Sequence, residues 1–403
     1  QSKASLLSWI NTGVNEQLTL TVYDKDYSLT LSDATIGAKI TQRNLRNRVS
    51  YTAVKNLSTD NWYDNATFYT YDIHGNVDRL LQDYRGLYTT YNVGRFKHTS
   101  YRYDLISGKV NEVAYQDKET DAFYHRYNYD AENRLTEVMT SRDKVYWELD
   151  AAYAYYKHGP LSRTRLGQLQ VQGVDYGYTL QGWLKGVNST SLDPLHDIGR
   201  DGYTGSTNNN IARDIFGFSL HYYDNNGSEV DYKALGGGTG AFARPNNSGS
   251  FKSLYNGNIR AMSVNNGGLK KGAPGTTNAL PLMYNYQYDQ LNRIVNMWAF
   301  SGLNEVNNTW SPCVLTDYSE YISYDPDGNI KAYTRKGAPS VGKPTDMDNI
   351  GYVYKPNTNQ LDHVWDDIPA SNYPDDIDGQ SPGNYSYDDI GNRRLAASGG
   401  DQW

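Results

Sequence analysis

The hydrophobic positions of this chain return in short runs that begin directly after a tight turn. In each run one apolar residue is followed by a second residue three positions later, and these pairs are Val77/Leu80, Val110/Val113, Leu135/Val138, Leu184/Val187, Ile294/Met297, Ile330/Tyr333 and Leu361/Val364. Regular strand alternation would put residues of one face two or four positions apart. A spacing of three fits a strand with one bulged residue. A single helical turn would give the same spacing, but the flanking tyrosines and tight turns favour a strand.

A tyrosine motif precedes the turns. Tyr-x-Tyr-Asp occurs five times, at Tyr69–Asp72, Tyr101–Asp104, Tyr127–Asp130, Tyr286–Asp289 and Tyr385–Asp388. Composition alone would give about 0.4 copies, so the motif is a repeat. Weaker copies lie at Tyr153–Tyr155, Tyr176–Tyr178, Tyr324–Asp325 and Tyr352–Tyr354.

The residues around each turn have the composition of a type I turn. The predicted turn residues are Tyr71, Asp72 and Gly75; Tyr103, Asp104 and Gly108; Tyr129, Asp130 and Asn133; Tyr288, Asp289 and Asn292; Asp325 and Gly328; and Asp388 and Gly391. An Asp at the first position can bond amides inside the turn. Gly or Asn at the fourth position can adopt positive φ, which closes a hairpin through a bulge. We therefore predict that Gly75 and Gly328 have positive φ, and that Asp72 and Asp325 cap their own turns.

Each unit is then strand, turn, strand, which makes one antiparallel hairpin. A hairpin cannot bury its own face, so the units must stack edge to edge. The sequence predicts an all-β fold in which antiparallel hairpins form a curved or spiralling sheet. In this scheme residues 1–66 are a β-strand lead-in of the same sheet, 67–187 and 284–403 carry the repeats, and 188–283 is a Gly/Asn-rich, loop-elaborated stretch of it.

The segments without the motif also contain strand patterns. In the lead-in, Leu18, Leu20 and Val22 alternate, Tyr27, Leu29 and Leu31 continue the alternation, and Arg48–Val54 predicts another strand. In the stretch between the two sets of repeats, Ile215–Tyr223 and Ser253–Asn265 predict strands.

Composition narrows the class of protein. The 403 residues include 38 Tyr but only 8 Phe, which favours a thin sheet whose tyrosine hydroxyls stay near water, although one large sandwich with wet outer rings would have the same composition. Net charge is 38 − 45 = −7 with no basic run, so no nucleic-acid partner is expected. No stretch of 18 apolar residues predicts a membrane-spanning helix. The single Cys313 excludes an internal disulfide framework.

No motif points to catalysis, a cofactor or a metal, and we expect none of the three. The seven histidines (His74, His98, His125, His158, His196, His221 and His363) form no paired ligand set and are assigned to solvent or turns. Cys313 is interpreted as a half-buried structural thiol. Asp375, Asp376, Asp378 and Gly379 hint at calcium, but Pro374 stands at the first ligand position and Tyr385 at the last, so a solvated acidic loop is preferred. Asp224–Gly227 is similarly weak, and the neighbouring Asp366 and Asp367 would point to opposite faces of a strand.

The units Tyr-x-Tyr-Asp-x-x-Gly-Asn resemble those of the Rhs/YD-repeat family of large bacterial secreted proteins, which is related in its repeats to teneurins and toxin-complex cocoon subunits. Three further segments carry the resemblance, namely Gly182–Asn188, Ala212–Phe218 and Asn256–Ile259. The resemblance implies a spiralling β-sheet that forms a hollow shell, which in many relatives encloses a variable C-terminal toxin. Those relatives carry a core motif rich in Asp-Pro and Gly-Arg-Phe just before the toxin, and this chain has no such motif.

Two functions remain open at this point. One is a structural shell segment that encapsulates a cargo or toxin outside this chain. The alternative is a cell-surface adhesin or carbohydrate-binding module whose exposed tyrosines stack on glycans. The resemblance implies a secreted or cell-surface location. The chain starts at Gln1 without a signal pattern, and nine hairpins make a ribbon only about 100 Å long with two free edges. We therefore expect flanking parts of the same polypeptide, or an edge-pairing protein, as partners, and aggregation of residues 1–403 alone.

Overall fold

A computed structural model describes residues 16–31, 33–57, 62–92, 94–223, 232, 240–245, 253–268, 281–338, 343–374, 376–388 and 391–396. The sequence candidates Asp224–Gly227 and Asp375 lie outside these residues. Within them the chain forms 23 strands, two short α-helices and one 3-10 turn. No helix among them is long and apolar enough to cross a membrane.

The chain divides into two compact units, one of Gln1–Tyr153 with Leu166–Leu169 and one of Ala154–Arg165 with Gln170–Trp403. The strands of the first unit are β1 (Glu16–Tyr23), β2 (Val49–Leu57), β3 (Asn65–Tyr71), β4 (Val77–Asp83), β5 (Phe96–Tyr103), β6 (Val110–Tyr115), β7 (Phe123–Tyr129), β8 (Leu135–Ser141) and β9 (Glu148–Tyr155), whose last two residues count with the second unit. Each strand pairs antiparallel with the next one along the chain.

The second unit repeats this arrangement. Its strands are β10 (Leu161–Leu166), β11 (Gln172–Tyr178), β12 (Leu184–Val187), β13 (Phe216–His221), β14 (Ala261–Asn266), β15 (Leu282–Tyr288), β16 (Ile294–Asn304), β17 (Thr309–Val314), β18 (Glu320–Tyr324), β19 (Ile330–Lys336), β20 (Asp346–Tyr354), β21 (Leu361–Asp366), β22 (Tyr385–Tyr387) and β23 (Arg393–Ala396). From β11 to β21 the pairs follow chain order and are antiparallel, except that the long β16 pairs with both β17 and β18. Strands β22 and β23 form a separate hairpin. The predicted all-β array of antiparallel hairpins is confirmed.

Little of the described chain is helical. The helices are α1 (Ala34–Gly37) and α2 (Arg85–Tyr91). The strand predicted over Tyr27–Leu31 is wrong, because Tyr27–Leu29 forms the 3-10 turn. The Asp26 side chain accepts a hydrogen bond from the Ser28 amide and so caps this turn. The Tyr27 amide donates to Gln42 Oε1 at 2.9 Å rather than to a neighbouring strand.

Hydrophobic cores form where a non-strand segment covers one face of a sheet. In the first unit, residues 27–40 supply Tyr27, Ile36 and Ile40, which cluster with Tyr51, Ala53, Tyr63, Ala66, Phe68 and Leu81. In the second unit, Ala243 joins Ala261, Met283, Phe300 and Trp310. Burying a large apolar side chain stabilises the folded state by about 1.5–3 kcal/mol, so these clusters anchor the units.

Other strands contain no fully buried side chain. Strands β5, β18 and β19 consist only of half-buried and exposed residues, on both faces, although Phe96 of β5 packs against the first core. A strand in a sandwich would instead alternate between fully buried and exposed positions. Both faces of these strands are therefore only partly covered.

Candidate functional site: the joint between successive hairpins

The turn aspartates hold the turns that follow them. Asp72 Oδ1 accepts hydrogen bonds from the amides of His74, Gly75 and Asn76 at 2.7–2.9 Å. Asp325 accepts from both the amide and the side chain of Asn329, each at 2.8 Å. The pKa of Asp325 lies below its ordinary value, and the side-chain hydrogen bond from Asn329 is the largest cause. The hydrogen bonds of the turn therefore favour the ionised form of Asp325.

The fourth turn position has a left-handed backbone in five of the turns. The φ angles are 100° at Gly75, 61° at Asn133, 62° at Asn292, 95° at Gly328 and 90° at Gly391. In the longer turns, the corresponding left-handed residues are Gly108 at 70° and Asn357 at 60°. Only Gly, and to a lesser degree Asn, adopts this conformation readily, which explains the residue choice.

A β-bulge follows each turn, at the second residue of the returning strand. In the first motif hairpin, Tyr71 is opposite Val77 while Thr70 is opposite Arg79, so Asp78 is the extra residue. The same shift occurs where Tyr103, Tyr129, Tyr178, Tyr288, Tyr324, Tyr354 and Tyr387 face the first residue of their return strands. The bulged strand predicted from the three-residue apolar spacing is therefore confirmed.

Among the described residues, tyrosine hydroxyls join most of the hairpins to an earlier part of the sheet. Tyr103, the second tyrosine of its motif, donates a hydrogen bond to the carbonyl of Val77 at 2.9 Å. Seven further tyrosines do the same at 2.7–3.0 Å: Tyr71 to Val49, Tyr129 to Val110, Tyr222 to Leu184, Tyr288 to Ile259, Tyr324 to Ile294, Tyr354 to Ile330 and Tyr387 to Leu361. We call this bond the tyrosine clasp.

The bulge explains why a clasp is needed. The β4–β5 ladder ends at the Arg79–Ser100 pair, so the Val77 carbonyl lies two residues beyond it and has no amide partner on β5. The Tyr103 hydroxyl supplies the missing donor. The β19–β20 ladder likewise ends at Ala332, two residues beyond Ile330, whose carbonyl receives the hydroxyl of Tyr354. Because half-buried carbonyls need donors, phenylalanine would leave this acceptor unsatisfied.

Burial favours the protonated form of several clasp tyrosines. Burial raises the pKa of Tyr103, Tyr129 and Tyr288 above the ordinary value of 10.0. For Tyr103, the next causes are the neighbouring Tyr101 and then Asp72 in the preceding turn. A hydroxyl must carry its proton to donate, so the raised pKa and the clasp favour the same state.

Successive turns also contact one another directly. The Arg293 guanidinium lies 4.4 Å from the centre of the Tyr324 ring, and its Nη1 donates to the Asp325 carbonyl at 3.3 Å. Farther along, Asn329 Nδ2 donates to Asn359 Oδ1 at 3.0 Å. Residues that directly follow the predicted turn residues therefore join the turns of neighbouring hairpins.

His221 was wrongly assigned to solvent or turns, because it lies on β13 and has no exposed surface. His196 lies in a turn, as expected, but it is buried. The His221 ring lies 3.1 Å from Lys185 Nζ, 3.0 Å from Ser219 Oγ and 3.3 Å from Ser263 Oγ. Burial, followed by the positive charge of Lys185, holds the pKa of His221 well below its ordinary value. The neutral ring thus links β12, β13 and β14 inside the unit.

The structure also places Cys313 and the neighbouring pair Asp366 and Asp367. Cys313 is exposed rather than half-buried, as are its neighbours Ser311 and Val314 on β17. Asp366 Oδ1 accepts from the amides of Asn349 and Ile368, and Asp367 accepts from the Asn349 side chain. These carboxylates cap the backbone at the end of β21. Burial raises the pKa of the nearby Asp376 to about 6.

Comparisons with known proteins give structural neighbours only. No family model and no curated protein sequence matches the chain. A crystal structure of TcdB2-TccC3 without its hypervariable C-terminal region is 12% identical over 89% of this chain and 15% of that one, with a TM-score of 0.49. The TcdB2-TccC3-Cdc42 structure is 12% identical over 87% of this chain and 15% of that one, with a TM-score of 0.47. The Tc holotoxin pore of Photorhabdus luminescens is 10% identical over 96% of this chain and 18% of that one, with a TM-score of 0.44. The chain therefore spans 15–18% of the length of these chains.

Proposed function

We propose that this chain forms part of the wall of a hollow protein shell that encloses another polypeptide segment. The observation that carries the proposal is the tyrosine clasp. Eight copies of one joint bind a hairpin to an earlier hairpin, always at the carbonyl of a residue at or near the start of its return strand. A unit that specifies its own join to its neighbour is suited to building an extended surface.

The burial of the strands supports a wall rather than a compact body. Strands β5, β18 and β19 have no fully buried side chain on either face. Such strands gain little from a deep apolar core, so their stability depends on ladder hydrogen bonds, clasps and turn contacts. A single-layer wall with water or a loosely packed cargo on its inner side has these properties.

The finer parts of the proposal follow from the resemblance of the motif to Rhs/YD repeats. They are a secreted or cell-surface location, a toxin as the enclosed segment, and flanking parts of the same polypeptide as the partners that complete the wall. We assign no catalytic residue and no cofactor to the wall.

Limited proteolysis tests the proposal. The longest natural polypeptide that contains this chain would be digested and its peptides followed by mass spectrometry. We expect one segment outside the wall sequence to stay uncut although the same segment, expressed alone, is cleaved quickly. Cleavage at equal rates in both samples would refute enclosure.

A second candidate function is ligand binding, and one cavity favours it. In the second unit a cavity of about 450 Å³ is lined by aromatic side chains, three methionines, Glu320 and Arg335. The aromatic residues are Tyr284, Tyr286, Tyr318 and Tyr373. Its volume lies in the range of small-molecule sites, and tyrosine faces can stack on sugar rings.

Glycan binding separates the two functions. If the cavity is a glycan site, Tyr318→Ala abolishes binding of the full chain to a glycan array, whereas Tyr91→Ala, an exposed tyrosine of α2 in the other unit, leaves it unchanged. Absence of glycan binding by the unmodified chain would remove this candidate.

A further inference from the structure

Three aspartates converge inside the second unit. Asp175 lies on β11, while Asp197 and Asp201 lie in the long connection 188–215 between β12 and β13. Each offers a carboxylate oxygen, and these oxygens lie within 4.8 Å of one another. All three residues are at least nine-tenths buried, with exposed fractions of 3%, 6% and 1%. Like charges at this separation repel strongly away from water, so something must balance them.

One cation is bonded to this group among the described residues. Arg163 donates to Asp175 and, at 2.6 Å, to Asp201 Oδ1. A fourth buried carboxylate, Asp214, lies beside Asp197. The cluster therefore contains four carboxyl groups and one guanidinium group, which is bonded to two of them. If all four carboxyl groups are ionised, negative charge is in excess.

Several of the carboxylate oxygens have no donor. Asp197 Oδ1, Asp201 Oδ2 and Asp214 Oδ2 are buried and receive no hydrogen bond from a donor group. The carboxyl groups of Asp197 and Asp214 lie within hydrogen-bonding reach of each other, so a proton shared between them would compete with a metal ion. The other oxygens of two of these residues are satisfied, since Asp197 Oδ2 accepts from the Asp201 amide at 3.1 Å and Asp201 Oδ1 accepts from Arg163. Asp214 is 8% exposed, and its unpartnered oxygen lies in the same interior. Buried acceptors of this kind are stabilised by either a proton or a metal ion.

Two glycines make room for the Arg163 guanidinium and for the carboxylates that it bonds. A Cβ atom at Gly173 would clash with Arg163 Nη2 and Asp201 Oδ2. A Cβ atom at Gly199 would clash first with Arg163 Nη1 and then with Asp175 Oδ2. Any larger residue at either position would therefore disturb both the guanidinium and a carboxylate.

We propose that Asp175, Asp197 and Asp201 bind a calcium ion, with Asp214 beside them as a further carboxylate. The donors are all oxygens, which suits a hard cation rather than zinc or copper. Mg²⁺ usually keeps several of its waters and is seldom held by a cage of protein ligands alone, so a buried group of carboxylates suits calcium better. The ion fixes the connection 188–215 against β11. This site is independent of the proposed wall function.

Calorimetric titration of the full chain tests the site. After treatment with a chelator, the unmodified protein is expected to bind one Ca²⁺ and to melt at a higher temperature with Ca²⁺ than with equal Mg²⁺. Asp201→Asn, which keeps an oxygen for Arg163, should weaken Ca²⁺ binding at least about tenfold. Asp197→Asn should do the same. The matched control is Asp378→Asn, which removes one charge from an exposed acidic loop and should leave binding unchanged.

Circular dichroism distinguishes a loss of Ca²⁺ binding from a loss of folding. Each variant must retain the β spectrum of the unmodified chain before its affinity is compared. Failure of the folded, unmodified protein to bind Ca²⁺ would overturn the proposal and leave shared protons as the neutralising device. Equal affinity of the unmodified protein and both buried-site variants would overturn it as well, because the ion would then bind elsewhere.

Discussion

Removing one hydroxyl from one clasp should weaken the joint between two hairpins and little else. Tyr103→Phe keeps the ring, which stacks against Tyr101 with centroids 6.3 Å apart, and deletes only the donor to the Val77 carbonyl. A net intramolecular hydrogen bond stabilises by about 0.5–1.5 kcal/mol, and an acceptor left without a donor adds to the loss. Because Val77 is half-buried and water reaches it in part, we expect a loss of about 1 kcal/mol.

Tyr101→Phe is the matched control. Tyr101 stands two residues earlier on the same strand, is also half-buried, and its hydroxyl has no hydrogen-bond partner within the described residues. Urea unfolding of the full chain, followed by circular dichroism, would give the midpoints. Tyr103→Phe should lower the midpoint without changing the slope, and Tyr101→Phe should leave both nearly unchanged.

Additivity sharpens this test. Tyr71, Tyr103 and Tyr129 clasp different hairpins of the first unit, so a triple Phe variant should lose about 3 kcal/mol, close to the sum of the single losses. Native-state hydrogen exchange would locate the effect, with faster exchange at the β4–β5 edge in Tyr103→Phe. Equal midpoints for Tyr103→Phe and Tyr101→Phe would refute the clasp as a stabilising joint.

Three further predictions use the same geometry. Gly75→Val should destabilise the chain by more than about 1 kcal/mol, because Gly75 has a φ of 100°, whereas Gly75→Asn should be mild; equal melting temperatures for the two variants would contradict the turn assignment. The pKa of clasp tyrosines such as Tyr129 is raised above 10.0, so the stability that they contribute is complete below pH 10 and is lost as the pH rises through the folded-state pKa. The melting temperature should therefore fall less steeply with increasing alkaline pH in the triple Phe variant than in the unmodified chain. Parallel curves for the two proteins would argue against this linkage. Asp325→Ala should lower the melting temperature at neutral pH, because it removes the acceptor for Asn329. The difference in melting temperature should shrink in acid, where Asp325 of the unmodified chain becomes protonated. A difference that persisted in acid would point to another cause.

The sequence was most informative where the determinants are local. The turn chemistry of Asp72 and Gly75, and the bulge after the turn, depend on residues within a few positions of one another, and both could be predicted. The 3-10 turn at Tyr27 could not, because its alternation with Leu29 matches a strand and the cap by Asp26 competes with it.

The clasp itself was beyond sequence reasoning for a physical reason. The clasped carbonyl lies between 19 and 38 residues before its tyrosine, so no fixed spacing marks the pair. The abundance of Tyr over Phe was the available signal, but it was interpreted as wet ring edges rather than as donors to the backbone. The acidic cluster was missed similarly, since Asp175 and Asp201 come together only through the long connection after β12.

Electron cryomicroscopy of the longest natural polypeptide that contains this chain tests the central claim most directly. If clasped hairpins build a wall, the particle will show a closed or nearly closed surface one sheet thick, with this chain in that surface and separate density inside. A compact body in which the two faces of these sheets pack against other sheets, with no enclosed space, would contradict the account.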